Sequence, residues 1–191
     1  MTHRNQASLR PEDRNTSTHL LYQDRRYQTT ENPSRGPKTN KDRLSSRSIH
    51  TKPFYECSGL MSVKISEGLE IIEIGAFQRC TNLRTIDLPS SLKTLERAAF
   101  GICSGLMPVK IKEGLEINRD RAFGGCTKLS TIDFPSTLKK IESEAFYQCS
   151  KLMSVKINEC LETIGVAAFQ RCTKLSTTEL PSTLKILERT A

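Results

Sequence analysis

Residues 80–100 read CTNLRTIDLPSSLKTLERAAF. Ile86 and Leu88 stand two apart, the spacing of a strand with one buried face. Pro89-Ser90 ends that strand, because proline cannot continue a ladder. A second apolar run, Leu92 and Leu95, leads to Ala99-Phe100. The same text returns at a fixed interval of 23 residues, marked by Cys57, Cys80, Cys103, Cys126, Cys149 and Cys172. Leu60, Leu83, Leu106, Leu129, Leu152 and Leu175 follow three places after each cysteine. The strand pairs are Val63/Ile65, Ile86/Leu88, Val109/Ile111, Ile132/Phe134, Val155/Ile157 and Thr178/Leu180, and the turns through the fifth close on Ala-Phe. A constant period in this range is the mark of a solenoid.

One such turn has no inside. Its leucines and phenylalanine reach an apolar environment only against neighbouring turns, and backbone pairing between turns must supply the rest of the stabilisation, so an isolated repeat is expected to be unfolded. The turn C-x-x-L-x-x-I-x-L-P-x-x-L-x-x-I-G-x-x-A-F resembles the BspA-like class of leucine-rich repeats over about residues 49–191. That resemblance implies an α/β-type repeat solenoid, predominantly β: a curved array of about six turns with parallel stacked strands. It also implies a scaffold that binds partners rather than catalyses. The pattern's Ile-Gly survives only at Ile164-Gly165, and Asn118 stands in a column otherwise filled by Ile72, Leu95, Ile141, Ile164 and Leu187.

The solenoid is preceded by different text. Residues 1–48 are rich in Arg, Ser, Thr, Asn and Gln, with Leu20-Leu21-Tyr22 the longest apolar run. Such a segment buries too little to offset its ordering entropy and is expected to be a disordered basic tail. Residues 1–50 carry ten Lys/Arg against five Asp/Glu, so much of the net charge of +8 sits here. The opening lacks the apolar segment of a secretory signal, and no run approaches a membrane span. The chain therefore reads as intracellular with reduced thiols, although a secreted or surface location, usual in the resembling class, stays compatible with it. RLSSRS at 43–48 offers serines between arginines for phosphorylation.

Odd and even turns differ, making the true period 46. Between the inward strand residues lie Lys64, Asp87, Lys110, Asp133, Lys156 and Glu179, alternating in sign. After the next leucine lie Glu70, Lys93, Glu116, Lys139, Glu162 and Lys185, alternating in the opposite phase. Facing charges on adjacent strands contribute ~0.2–1 kcal/mol per pair, so these ladders are expected to help set register and to leave two nearly neutral strips. Duplication of a two-turn unit would produce the same alternation without any physical role. Met61, Met107 and Met153, with Arg84 between the first two, form an adaptable strip beside the strands.

Chemistry finds little support. No histidine follows His50, no C-x-x-C spacing suits zinc, and neither a G-x-S-x-G nor a phosphate-cradling glycine loop occurs. The cysteine column is expected to be buried structure, with Cys160, in the place of Gly68 and Gly114, the most reachable thiol. No enzyme, cofactor or metal site is expected. The expected function is recognition of a protein through the exposed strand face, at Lys64, Arg84, Asp87, Lys110, Asp133, Lys156 and Glu179; the alternative is nucleic acid or acidic membrane bound by the basic tail. No polar capping turn follows Ala191. That points to cover by a second copy or another protein, or to a longer array.

Overall fold

The computed structural model describes residues 18–22, 47–49, 51–176 and 180–188. Each of the first five full turns contributes a first, generally longer strand of two to six residues and a second strand of two. The sixth shows the second alone among the described residues, and pairing between turns is parallel throughout. The strands are β1 (Thr18–Tyr22), β2 (Ser48–Ile49), β3 (Leu60–Ile65), β4 (Ile71–Ile72), β5 (Thr85–Asp87), β6 (Thr94–Leu95), β7 (Val109–Lys110), β8 (Ile117–Asn118), β9 (Thr131–Asp133), β10 (Lys140–Ile141), β11 (Ser154–Lys156), β12 (Thr163–Ile164) and β13 (Ile186–Leu187). No α-helix occurs among the described residues, so the predominantly β solenoid holds with turns where helices would stand.

The short strands make one continuous seven-stranded sheet from β2 to β13. The longer strands do not: β1-β3-β5 form one sheet and β7-β9-β11 another. Pro108 explains the gap. Its column holds Ser62, Thr85, Thr131 and Ser154, and the Ser154 N–H reaches the Ser130 carbonyl of the preceding turn at 3.5 Å. Proline has no N–H to donate there. Met107 N–H still bonds the Arg84 carbonyl at 2.9 Å, and β7 resumes pairing on its other side, where Lys110 faces Asp133.

The expected columns are the core. Cys57, Cys80, Cys103, Cys126 and Cys149 are buried, as are the leucines that follow them from Leu60 to Leu152. Phe54, Phe77, Phe100, Phe123, Phe146 and Phe169 stack face to face, with centroids 5.0, 5.1, 5.6, 5.7 and 5.3 Å apart and planes within 10°. Backbone bonds follow the same corner: Phe77, Phe100, Phe123 and Phe146 each donate an N–H to the alanine carbonyl of the next turn, at 2.8–2.9 Å. Cys80, Cys103, Cys126, Cys149 and Cys172 each donate the S–H to the phenylalanine carbonyl 26 residues earlier, at 3.1–3.3 Å. Leu60, Leu83, Leu106 and Leu129 are thus neighbours in a shared interior.

The corner is tight. Lys52, Gly75, Ala98, Arg121, Glu144 and Ala167 all have φ between 52° and 61°. A second left-handed column runs through Glu56, Arg79, Ile102, Gly125, Gln148 and Arg171. Only two of these twelve residues are glycine, the type that adopts this conformation without a steric penalty.

Ile49 and Phe54 are buried, and Ile49 pairs with Ile72, so a partial turn precedes Cys57 as the sequence indicates. The disordered tail expected over 1–48 lies outside the described residues except at 18–22 and 47–48. There the structure differs: β1 pairs parallel with β3, Tyr22 opposite Ile65, and Ser48 belongs to β2. β1 contains the tail's longest apolar run, and β3 would otherwise offer an open edge of unpaired N–H and carbonyl groups.

Candidate functional site

The alternation of inward and outward residues along β3 to β11 puts Lys64, Asp87, Lys110, Asp133 and Lys156 on the outer face of the longer strands. The lysines are exposed and the two aspartates half-buried. Register brings Lys64 opposite Asp87, Lys110 opposite Asp133 and Asp133 opposite Lys156. Asp87 and Lys110 flank the break and are not paired. Glu179 lies outside the described residues.

The ion pairs are fewer than the column suggests. Lys64 Nζ approaches Asp87 at 3.9 Å, but Asp87 accepts its short bond, 2.7 Å, from Lys112. Lys110, Asp133 and Lys156 make no ion pair among the described residues. Exposed pairs of this kind are worth ~0–1 kcal/mol, so backbone bonding fixes the register here. The second column is better formed: Glu116 to Lys139 spans 2.8 Å and Glu162 to Lys185 spans 3.2 Å. The hydrogen bond from Lys139 holds the Glu116 carboxyl below its ordinary range. Arg47 extends this column by one turn through a 2.8 Å bond to Glu70, an extension hidden in the sequence by its place in the basic tail. Arg119 bridges Glu96 and Glu142 in the column where the repeat pattern calls for glycine.

The two kinds of turn have a structural purpose that the charge columns do not reveal. Glu67, Glu113 and Glu159 of odd turns accept bonds from the Pro-Ser of the following even turns, at Ser90, Ser136 and Ser182. Ser91, Thr137 and Thr183 donate hydroxyls back to the Leu69, Leu115 and Leu161 carbonyls. The Ser90 N–H is the main cause that lowers the Glu67 pKa. A side chain at Gly114, with φ of 122°, would place Cβ 2.0 Å from the Ser90 carbonyl oxygen. Glu-Gly in one turn and Pro-Ser-Ser/Thr in the next therefore form a clasp. Cys160 takes the glycine position without a left-handed backbone and is exposed.

The remaining cysteines are free; Cys57, Cys80, Cys103, Cys126 and Cys149 are buried and Cys172 is half-buried. Burial pushes the Cys80 thiol up to about 12 and the Cys172 thiol up to about 11, and raises Cys103, Cys126 and Cys149 well above the ordinary thiol range. A raised pKa leaves little thiolate, so the column is a poor nucleophile and reads as structure. Among the described residues no three His, Cys, Asp or Glu side chains gather as a metal site, and no helix is long and apolar enough to cross a membrane.

A cleft of about 320 Å³ opens beside the break, lined by Thr81, Asn82, Arg84, Thr85, Gly105, Met107 and Lys128. Arg84 is therefore a cleft residue. Met107 and Met153 are each 47% exposed, whereas Met61, within β3, is half-buried. Pro108, whose identity locates the cleft, is the signal that a reading by apolar columns passes over. In the last turn Leu180, Ile186 and Leu187 are exposed.

A family model described as a BspA type leucine rich repeat region matches the chain in 6 copies, over residues 43–152 and 103–191. Among solved structures, the leucine-rich repeat protein of T. pallidum has a TM-score of 0.68 at 28% identity, covering 73% of this chain and 65% of its own. A leucine rich cell surface protein from Faecalibacterium prausnitzii has a TM-score of 0.54 at 34% identity, covering 58% of this chain and 29% of its own. A leucine-rich repeat protein from Bacteroides ovatus has a TM-score of 0.53 at 27% identity, covering 72% of this chain and 41% of its own. The chain thus spans less than two-thirds of each of these structures. No curated protein matches it.

Proposed function

The chain belongs to the BspA-type leucine-rich repeat family, and from that premise we propose that it is a non-enzymatic scaffold whose outer strand face recognises a protein partner. The observation that carries the reading is the set of charged side chains held in register across the longer strands, with Lys110, Asp133 and Lys156 free of ion pairs among the described residues. Such groups are fixed in place by the backbone yet available to a partner. Arg84 and the exposed methionines add the residue types that interfaces favour. Lys64, Arg84, Asp87, Lys110, Asp133, Lys156 and Glu179 are the residues assigned to recognition.

Crosslinking of the full chain in a lysate, compared with a Lys64→Glu/Lys110→Glu/Lys156→Glu variant, tests the face. The variant is expected to lose the captured proteins while keeping the wild-type circular dichroism spectrum. An unchanged set of captured proteins would overturn the assignment. Loss of capture on deleting residues 1–46, with the face intact, would transfer the function to the basic tail.

A further inference from the structure

The column that begins at Gly59 continues through Asn82, Gly105, Lys128, Lys151 and Lys174. No other column of residues 57–191 carries one sign on three successive turns. Lys128, Lys151 and Lys174 are all exposed, and none makes an ion pair among the described residues. Adjacent parallel strands lie ~4.8 Å apart, and the stacked phenylalanine centroids confirm spacings of 5.0–5.7 Å for these turns. Like charges on neighbouring strands repel. Two other columns of the same solenoid avoid that cost by alternating, and this one does not. A local rule broken without a structural return marks a functional surface.

Two further features adjoin the lysines. Lys128 lines the 320 Å³ cleft together with Asn82, Arg84 and Met107, and Arg84 likewise lacks an ion pair among the described residues. Met107 and Met153, each 47% exposed, run two residues along from the lysine column. Lys151 and Met153 therefore lie side by side on one turn, and Lys128 and Met107 of successive turns both line the cleft.

The geometry points to an extended acidic segment of a partner protein, with Asp or Glu interleaved with apolar residues, docked along Lys128, Lys151 and Lys174 and ending in the cleft at Arg84. The inference rests on the partner-binding reading above and names the chemistry of the partner. Carboxylates complement the lysines, and the interleaved apolar side chains meet the methionines. The chain's own tail has the wrong sign, with ten Lys/Arg against five Asp/Glu in residues 1–50. A sulfated glycan would leave the methionines unused. Single-stranded nucleic acid relies on aromatic platforms, and neither the lysine column nor the methionine column contains an aromatic residue.

The test is fluorescence anisotropy on the full chain. The probe is a labelled peptide of alternating aspartate and leucine, with a heparin oligosaccharide and a single-stranded DNA oligonucleotide as parallel arms. The peptide is expected to bind more tightly than either. Lys151→Glu should weaken peptide binding about tenfold. The same variant should raise Tm by about 2 °C, because a carboxylate between Lys128 and Lys174 converts repulsion into attraction. Lys93→Glu, an exposed charge reversal away from the ridge, should leave peptide affinity unchanged. Unaltered affinity in Lys151→Glu, or tighter binding of the glycan or the DNA, would overturn the proposal. If capture from lysate depends on Lys64, Lys110 and Lys156 but not on Lys151, the strand-face reading stands and this one falls.

Discussion

The two ladders of the solenoid fail in different ways. The short-strand ladder contains the least suitable side chain among the described residues: Asn118 is fully buried, and neither its amide nitrogen nor its amide oxygen has a hydrogen-bond partner there. Yet β6, β8 and β10 pair without interruption, and the Asn118 carbonyl accepts the Glu142 N–H at 2.8 Å. The longer-strand ladder has apolar side chains of the right type on both sides of its fault, and it divides at Pro108. Sheet continuity is therefore decided by the backbone donor, while an unsuitable buried side chain reduces stability and leaves the topology intact.

The strongest way to break this comparison is to move the fault. Thr131→Pro removes a donor from the column of Pro108 but in the middle of β7-β9-β11. A proline ring at the start of the central strand, with its fixed φ and no N–H, should cost about 3 kcal/mol, to be read as a fall in the urea midpoint. If stability barely changes, the backbone argument for Pro108 is wrong. Asn118→Leu addresses the other ladder. It removes two unpartnered polar atoms with little change of shape, and stability should rise by about 2 kcal/mol. No increase would mean that Asn118 finds a partner, such as enclosed water.

Pro108→Thr restores the residue of Thr85 and Thr131, and is expected to add about 1 kcal/mol, one net hydrogen bond. The sharper measurement is amide exchange: Val109 and Lys110 should become more protected as β5 joins β7. Because the cleft lies at this break, the same variant should weaken any ligand held there. Protection without gain in stability would show that strain elsewhere offsets the new bond.

Much of the fold is legible in residues 80–100 because columns of cysteine, leucine and phenylalanine report burial, and burial here repeats with the chain. Phe54 and Ile49 even locate the partial turn before the first cysteine. What the apolar columns do not carry is the chemistry between turns. The clasp of Glu67 on Ser90 joins positions 23 apart whose residue types look like ordinary surface. The column containing Asp87 alternates perfectly in sign, yet Asp87 makes its short ion pair with Lys112, outside that column. Side-chain length and the width of the break decide that pairing, and neither is written in a sign pattern. Pro108 was readable in principle: a proline in a strand column names its own consequence.

Strain at the corner is a third, smaller effect, shared by both ladders because every turn must bend there. Ala98 sits at φ 54° in the column where Gly75 sits at 61°. An L-residue in this region is strained by ~1–2 kcal/mol, while glycine's greater freedom in the unfolded chain offsets ~0.5–1 kcal/mol. Ala98→Gly should therefore stabilise by about 0.5 kcal/mol, visible as a rise in Tm of about 1–2 °C. The alanine Cβ contributes little packing to be lost, since Ala98 lies at the edge of the core with 9% of its surface exposed. A fall in Tm would show that this small contact outweighs the backbone strain, and would place the corner among the packed columns rather than among the faults.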